Sequence, residues 1–440
     1  MGITLLDDMD HMCVNHKSLT QSALYRFAGQ KVDNHPSHLY DRKPFQYYLR
    51  TAEAFRSQGG GQLYHASQCS FDCFTRHHRR EEKTHMNMKR VVVLLSMLAL
   101  VFSIGCVVLA EDFPTPSLLP DSPVIAFVGH SLSSESCQRN VKQFEIECEH
   151  RGWTARVEMA GGELGPQHDM LETLINAGVD AIILQYVHVQ GLQDVIAQAR
   201  EQGIGVYCLD TEPMPGVIVN ATMPGGIAGA EMAYYGLNRL GNVGGVVYLS
   251  CRWHIVRRRA YAAQPIIDDF PNMESLATEW VSMEDYSGDS YNFMNNWLTR
   301  FGDEIKWVFG GWDTLGMFAA KAILDRGYTA DDIFCTGVDG GAEAFRLIRD
   351  PSEPFVATYA QPFELYCHTC MEVIDEIQVQ GVAPYTADSM VPVSKVIYCK
   401  GALVTESNCP APGASVHSLF DYYDPTSSDA WYNWGEPYTI

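Results

Sequence analysis

The chain has 440 residues, 46% of them hydrophobic, and its 53 acidic against 31 basic side chains give a net charge of −22. A chain of that length and composition can bury the cores of two lobes, and its acidity argues against recognition of nucleic acid or of an anionic membrane. The charge is uneven: residues 111–440 hold 44 acidic and 18 basic residues, whereas residues 1–90 hold 9 and 13.

Residues 1–87 show no sustained helical or strand periodicity. They carry eight of the 15 histidines, and Cys69 and Cys73 precede the pair His77 and His78. Adjacent histidines cannot easily both reach one ion with two cysteines, so no metal site is expected there. Residues 88–110 then start with Lys89 and Arg90, continue as an uncharged apolar run and end in Val108, Leu109 and Ala110. That is the layout of a secretory signal peptide, although a run of about 20 apolar residues could also stay in a bilayer. Signal peptides stand first in a chain, so Met88 is the expected start and 1–87 an upstream or disordered segment. Ser103, Ile104, Gly105 and Cys106 loosely resemble a bacterial lipobox, which makes Cys106 a candidate lipid anchor.

A Pro-rich tether over 111–121 leads into a regular pattern. Short apolar runs at 124–128, 154–159, 181–184 and 206–209 alternate with amphipathic stretches at 136–151, 166–177 and 191–202, two of them closed by Gly178 and Gly203. The alternation restarts with helices over 225–240, 256–270, 291–301, 314–326, 341–349 and 363–380. Strands are expected at 245–249, 276–281, 307–309, 333–338 and 355–359. Strand–helix alternation predicts an α/β fold of two similar doubly wound lobes, each built on a parallel sheet covered on both faces. In such sheets ligands bind beyond the carboxyl ends of the strands, which nominates the loops 130–134, 210–212, 311–313 and 339–340.

Two chemical motifs compete with that expectation. Gly129-His130-Ser131-Leu132-Ser133 lies between a strand and a helix like a hydrolase nucleophile elbow, with Ser131 as nucleophile. Ser133 replaces the glycine that permits the tight turn, and no oxyanion loop precedes this first strand. Cys367 and Cys370 have CxxC spacing but stand in a helical pattern. Nine cysteines follow residue 110, an odd number that excludes complete internal pairing; Cys399 and Cys409 flank a loop and could pair.

The segments IAFVGHSLSS, GVDAIILQYV, GIGVYCLD, WVFGGWDTLGMFAAKAI, TGVDGGAEAFRLI, VATYAQPFELYC and LVTESN follow one another over 122–408. In order and spacing they resemble the type I periplasmic binding proteins of the ribose- and galactose-binding family, the receptors of ABC sugar importers. The resemblance implies three crossovers, near 222, 361 and 390. The N-terminal lobe would then comprise 122–222 plus 361–389 and the C-terminal lobe 223–360 plus 390–408, joined by a three-segment hinge, with 409–440 as a tail of no assigned role. It also implies an exported monomer without enzymatic activity, cofactor or metal, which closes on a small polyhydroxylated solute, a sugar by preference, and passes it to an ABC permease.

Residue by residue, Asp210 matches the family's sugar-binding aspartate, Asp339 the aspartate of the second lobe and Gln361 the hinge glutamine. Arg257 best fits the site arginine, with Arg259 as the alternative register, and Tyr286 falls near a stacking aromatic. His130, Ser131, Ser134, Thr211, Trp312 and Asp313 complete the expected ligand-binding set from the nominated loops. Carboxylates accept hydroxyl protons, arginine donates in a fork and aromatic faces cover a sugar ring. The chain also departs from the family. Ser134, Glu135, Ser136 and Cys137 stand where an aromatic clamp is usual, Thr211 where ribose binders have arginine, and Trp312 where an asparagine is usual; together these argue against ordinary ribose. A sensory receptor subunit of a signalling system would recognise ligand in the same way and is the alternative function.

Overall fold

A computed structural model describes residues 113–440 except Val189 and Pro213. The signal-peptide-like run, Cys106, the histidine-rich segment and its zinc candidates lie outside the described residues. No helix among the described residues is long and apolar enough to cross a membrane.

The first sheet is built from β1 (Val124–Gly129), β2 (Thr154–Met159), β3 (Ala181–Gln185), β4 (Gly205–Leu209), β5 (Asn220–Thr222) and β11 (Val396–Tyr398), in the spatial order β11-β5-β4-β3-β1-β2. All its pairings are parallel. Helices α1 (Glu135–Arg151), α2 (Leu164–Asn176) and α3 (Gln193–Glu201) connect the first four strands. Every residue of β3 and β4 is buried, as their mostly apolar sequences require when helices cover both faces. Gly152, at φ 71°, closes α1 by donating its N–H to the carbonyls of Cys148 and Glu149, a conformation glycine adopts without steric cost.

The second sheet has the order β12-β10-β9-β8-β6-β7. It comprises β6 (Gly244–Ser250), β7 (Met273–Trp280), β8 (Ile305–Gly310), β9 (Phe334–Asp339), β10 (Phe355–Ala360) and β12 (Ala402–Thr405), the last antiparallel to β10. Its helices are α4 (Gly225–Leu240), α5 (His254–Asp268), α6 (Tyr286–Phe301), α7 (Asp313–Asp325) and α8 (Ala342–Ile348). Helix α9 (Phe363–Ile374) returns to the first lobe, packs on α1, β4 and β5, and runs on through one π-helical turn to Val379.

Three short strands were not among the expected elements: β5, β11 and β12 have three, three and four residues. They border the crossovers. The chain passes between sheets after Thr222, after Ala360 and between Tyr398 and Ala402. The third passage therefore lies about ten residues beyond the expected 390, because β11 pairs with β5 and keeps residues 396–398 in the first lobe.

Helices α4 and α5 pack closely, and Gly229 allows it: a methyl group there would collide with the carbonyl oxygen of Arg259. Gly229→Ala is expected to destabilise the protein by about 1–3 kcal/mol through overpacking. Denaturant unfolding measures that loss, and an unchanged midpoint would show that α5 can shift freely.

The tail is folded and reaches both lobes. Val416 and Phe420 pack with Phe345, Ala360 and Val404 of the second lobe. Trp431 stacks on His368 of α9, with ring centroids 4.4 Å apart, and Trp434 on His150 of α1 at 3.6 Å. Tyr438 donates to Glu135 and lies 4.7 Å from the Arg139 guanidinium. Beneath it Arg139 and Glu364 form a buried two-pronged ion pair, with Nε to Oε1 at 2.7 Å and Nη2 to Oε2 at 2.8 Å. Arg139 also donates to the Gly340 carbonyl of the second lobe at 3.3 Å.

The nine described cysteines are all free thiols. Cys399 lies against the Thr369 hydroxyl and Cys409 points to the Phe345 carbonyl, so that pair is not joined. Cys367 and Cys370 are fully buried on α9, where burial raises both thiols well above their ordinary value. That environment suits packing, not redox exchange.

Candidate functional site

Both sheets direct their carboxyl ends into one cleft. Six described non-glycine residues have positive φ, and three of them end strands at this cleft: Tyr186 at 54° after β3, Asp210 at 44° after β4 and Asp339 at 145° closing β9. Such backbone costs about 1–3 kcal/mol per residue and gathers where side chains must be aimed.

Asp210 is 2% exposed. Its Oδ1 accepts from Thr222 Oγ1 at 2.6 Å, while Oδ2 has no partner. Asp339 stands across the cleft, on the second lobe. Gln361 Nε2 donates to its Oδ1 at 2.6 Å, and Arg259 Nη1 lies 3.6 Å from the same oxygen. Burial raises the Asp339 carboxyl to about 8; the Arg259 charge opposes the shift, and the carboxylates of Asp313 and Asp210 add to it. Tyr186 sits between the two aspartates, its phenol raised well above the ordinary value by burial and then by Asp210 and Asp339.

A compartment of about 320 Å³ opens beside Tyr186 and Asp339. His130, Ser131, Ser134, Ser136 and Tyr186 line it from the first lobe, and Trp253, Arg259, Tyr286, Trp312 and Asp339 from the second. Tyr286 and Trp312 meet edge to face, with centroids 5.6 Å apart, and form an aromatic wall. Trp253 reaches across and meets the rings of His130 and His188 at 5.2 and 5.6 Å. Burial, and then the neighbouring His188, lowers the pKa of His130, which favours its neutral form.

Two expected residues act behind the wall. Asp313 accepts from the amides of Gly340 and Gly341 at 2.8 and 3.2 Å and from Thr358 Oγ1 at 2.5 Å, so it fixes the loop after β9. Burial raises its carboxyl to about 6 despite those donors. Gln361 spends its amide on Asp339 and its carbonyl on Tyr366 Oη at 2.9 Å, which orients Asp339 from the hinge.

Of the two arginine registers, Arg259 lies beside Asp339 and donates to the Gly311 carbonyl at 2.6 Å. Arg257 and Thr211 line an adjacent compartment instead. Ser131 Oγ makes its hydrogen bonds to the hydroxyl of Ser133 at 2.9 Å and to its amide at 3.1 Å, and neither is a base. A nucleophile there would lack its activating partner.

Tyr186, Trp253 and Ser136 escaped sequence reasoning. The strand-end rule would have found the first two had it been applied to β3 and β6. Ser136 carries no sequence signal of its own.

Residues 125–378 match the family described as periplasmic binding protein domain. The chain is 26% identical over 205 residues to a xylitol-binding protein of Mycolicibacterium smegmatis, a match that spans 46% of this chain and 57% of that one. To a D-apiose import binding protein of Paraburkholderia graminis it is 25% identical over 264 residues, 58% of this chain and 79% of the relative. Among solved structures, an ABC sugar transporter subunit from Rhodobacter sphaeroides aligns with a TM-score of 0.58 at 22% identity, over 65% of this chain and 99% of that one. A sugar ABC transporter protein from Yersinia enterocolitica aligns with a TM-score of 0.60 at 17% identity, over 73% and 98%. These structures share the two-lobed α/β fold.

Proposed function

Since the chain belongs to the periplasmic binding protein family, we propose that it is an exported, non-enzymatic receptor that closes on a small polyhydroxylated solute and delivers it to an ABC permease. One observation carries the reading: Asp210 and Asp339 face the same cleft from opposite lobes, and one oxygen of Asp210 is unclaimed. A ligand with hydroxyls at both ends satisfies the two carboxylates only when the lobes are together, which couples binding to closure. Arg259 supplies donors beside Asp339, and the Tyr286–Trp312 wall suits the apolar face of a ring or polyol chain. His130, Ser131 and Ser134 edge the cleft, while Asp313 and Gln361 hold the loop and carboxylate that contact ligand.

Relatives named for xylitol and D-apiose support a sugar or sugar alcohol as the solute. The signal-peptide-like run at 88–110 supports export to the periplasm, with Cys106 as the point of lipid attachment. The receptor acts as a monomer in this reading.

A thermal-shift screen of the full chain against sugars, polyols, nucleosides and amino acids tests it. A ligand at 100 times its Kd adds about 2.7 kcal/mol, enough to raise Tm by several degrees. A shift among sugars or polyols is expected. Shifts confined to nucleosides or amino acids, or silence from a folded protein, would reject the polyol assignment.

A further inference from the structure

Beside the aromatic-walled compartment lies a second of similar size, also about 320 Å³, and the two share only Tyr186, Trp253 and Ile255. Its chemistry is different. Arg252, His254 and Arg257 line it from the second lobe, and Asp210, Thr211 and Glu212 from the first.

Helix α5 begins in this compartment. Its N-cap position is Trp253, which supplies no side-chain hydrogen bond. The Val256 amide turns back to the Trp253 carbonyl at 3.1 Å, whereas the His254 and Ile255 amides, at the positive end of the helix dipole, have no capping side chain. Arg257, one turn in, has no hydrogen-bond or ion-pair partner among the described residues, whereas Arg259 is held by Gly311 and Asp339. Asp210, at the wall of the same compartment, is 2% exposed and has one carboxylate oxygen without a hydrogen-bond partner, which independently points to a ligand donor there.

The basic groups of the lining lie on the second lobe and the acidic ones on the first. His254 Nδ1 lies 2.9 Å from Glu212 Oε1, a contact that favours the charged ring. Even so, burial, and then the charges of Arg258 and Arg257, lower its pKa. Asp210 and Glu212 are the carboxylates of this lining: Asp210 is left to accept a ligand hydroxyl, and Gln190 Nε2 engages Glu212 at 2.9 Å.

We propose that the ligand is an acidic sugar or sugar alcohol, with hydroxyls on Asp210 and Asp339 and a carboxylate or phosphate seated at the start of α5 against Arg257. The proposal rests on the assignment of the cleft to a polyhydroxylated solute and narrows it. It gives a role to Arg257, which a neutral solute bonded to Asp210 and Asp339 would leave without a partner.

Titration calorimetry of the full chain tests it with matched pairs: D-ribose and D-ribose 5-phosphate, D-galactose and D-galacturonate, xylitol and D-xylonate. In at least one pair the acidic member should bind about tenfold or more tightly than its neutral partner, the size of one charge-assisted hydrogen bond. Added salt should shrink that preference. Arg257→Gln should abolish it, and Arg257→Lys, which keeps the charge, should restore part of it. A preference for the phosphate alone assigns a phosphate ester, and one for a carboxylate alone assigns a sugar acid. If neutral members bind and their acids gain nothing, the anion site is overturned while the polyol cleft stands. If no member of any pair binds, both are overturned.

Discussion

Arg139→Met is expected to lower the unfolding free energy by about 3–5 kcal/mol, the usual cost of leaving one member of a buried ion pair without its partner. Glu364 would then keep its charge, or take up a proton, at a site 3% exposed to solvent. The same guanidinium touches the ring of Phe363 at 4.8 Å and that of Tyr438 at 4.7 Å and donates to Gly340 across the lobes. Its loss therefore loosens α1, α9, the tail and the second lobe together. The double variant Arg139→Met/Glu364→Met should recover much of the deficit, because a packed apolar pair carries no desolvation cost.

The pair also has a pH signature. Burial alone would raise the Glu364 carboxyl, but the Arg139 charge and its hydrogen bonds hold it below the ordinary value. A carboxyl whose folded pKa is depressed adds stability above its unfolded pKa, and that contribution disappears as pH falls through the folded value. The double variant should thus have a flatter acid limb than the parent. Denaturant melts between pH 3 and 7 decide the matter: equal acid slopes in the two proteins would mean that Glu364 is not pinned by Arg139.

Much of this architecture was legible in the sequence because periodicity is local. The run Ile125-Ala126-Phe127-Val128 and its counterparts declare buried parallel strands without reference to anything distant. Asp210 and Asp339 were legible for a similar reason, since they close strands and the strand-end rule needs only strand boundaries. The short crossover strands were not legible. Val396–Tyr398 has three residues and alternates no more than a loop does; it becomes a strand because β5 offers it an edge. Arg257 and Arg259 could not be separated by sequence, because residues two apart on a helix point about 200° apart and only the packing of α4 against α5 decides which one faces Asp339. The tail was illegible altogether. Its tryptophans and tyrosines have no period, and they are ordered by stacking on histidines more than 60 residues earlier in the chain.

Asp339→Asn should weaken ligand binding about ten- to a hundredfold and at the same time stabilise the empty protein at alkaline pH. Above about pH 8, where the carboxyl is ionised, the loss of affinity follows from exchanging a charged acceptor for a neutral one, worth about 1.5–3 kcal/mol where a ligand hydroxyl donates to it. The gain follows from the raised carboxyl. A free aspartate titrates near 3.9, whereas Asp339 in the folded protein titrates at about 8. Between those values the native state holds a proton that the unfolded chain releases, so stability falls as pH rises across that window. Asparagine has no proton to hold and removes the slope. It also keeps the shape of the side chain at this residue, whose φ is 145°. Alanine would keep the strain and leave the Gln361 amide without its acceptor. Melts of parent and variant should therefore nearly coincide near pH 4 and separate by pH 8, with the variant the more stable. A parent stability that is level across that range would show that Asp339 titrates as an ordinary surface aspartate, and undiminished affinity in the variant would show that the ligand does not use this carboxylate. The opposite signs of the two effects mark a carboxylate kept at the cleft for recognition at the expense of the fold.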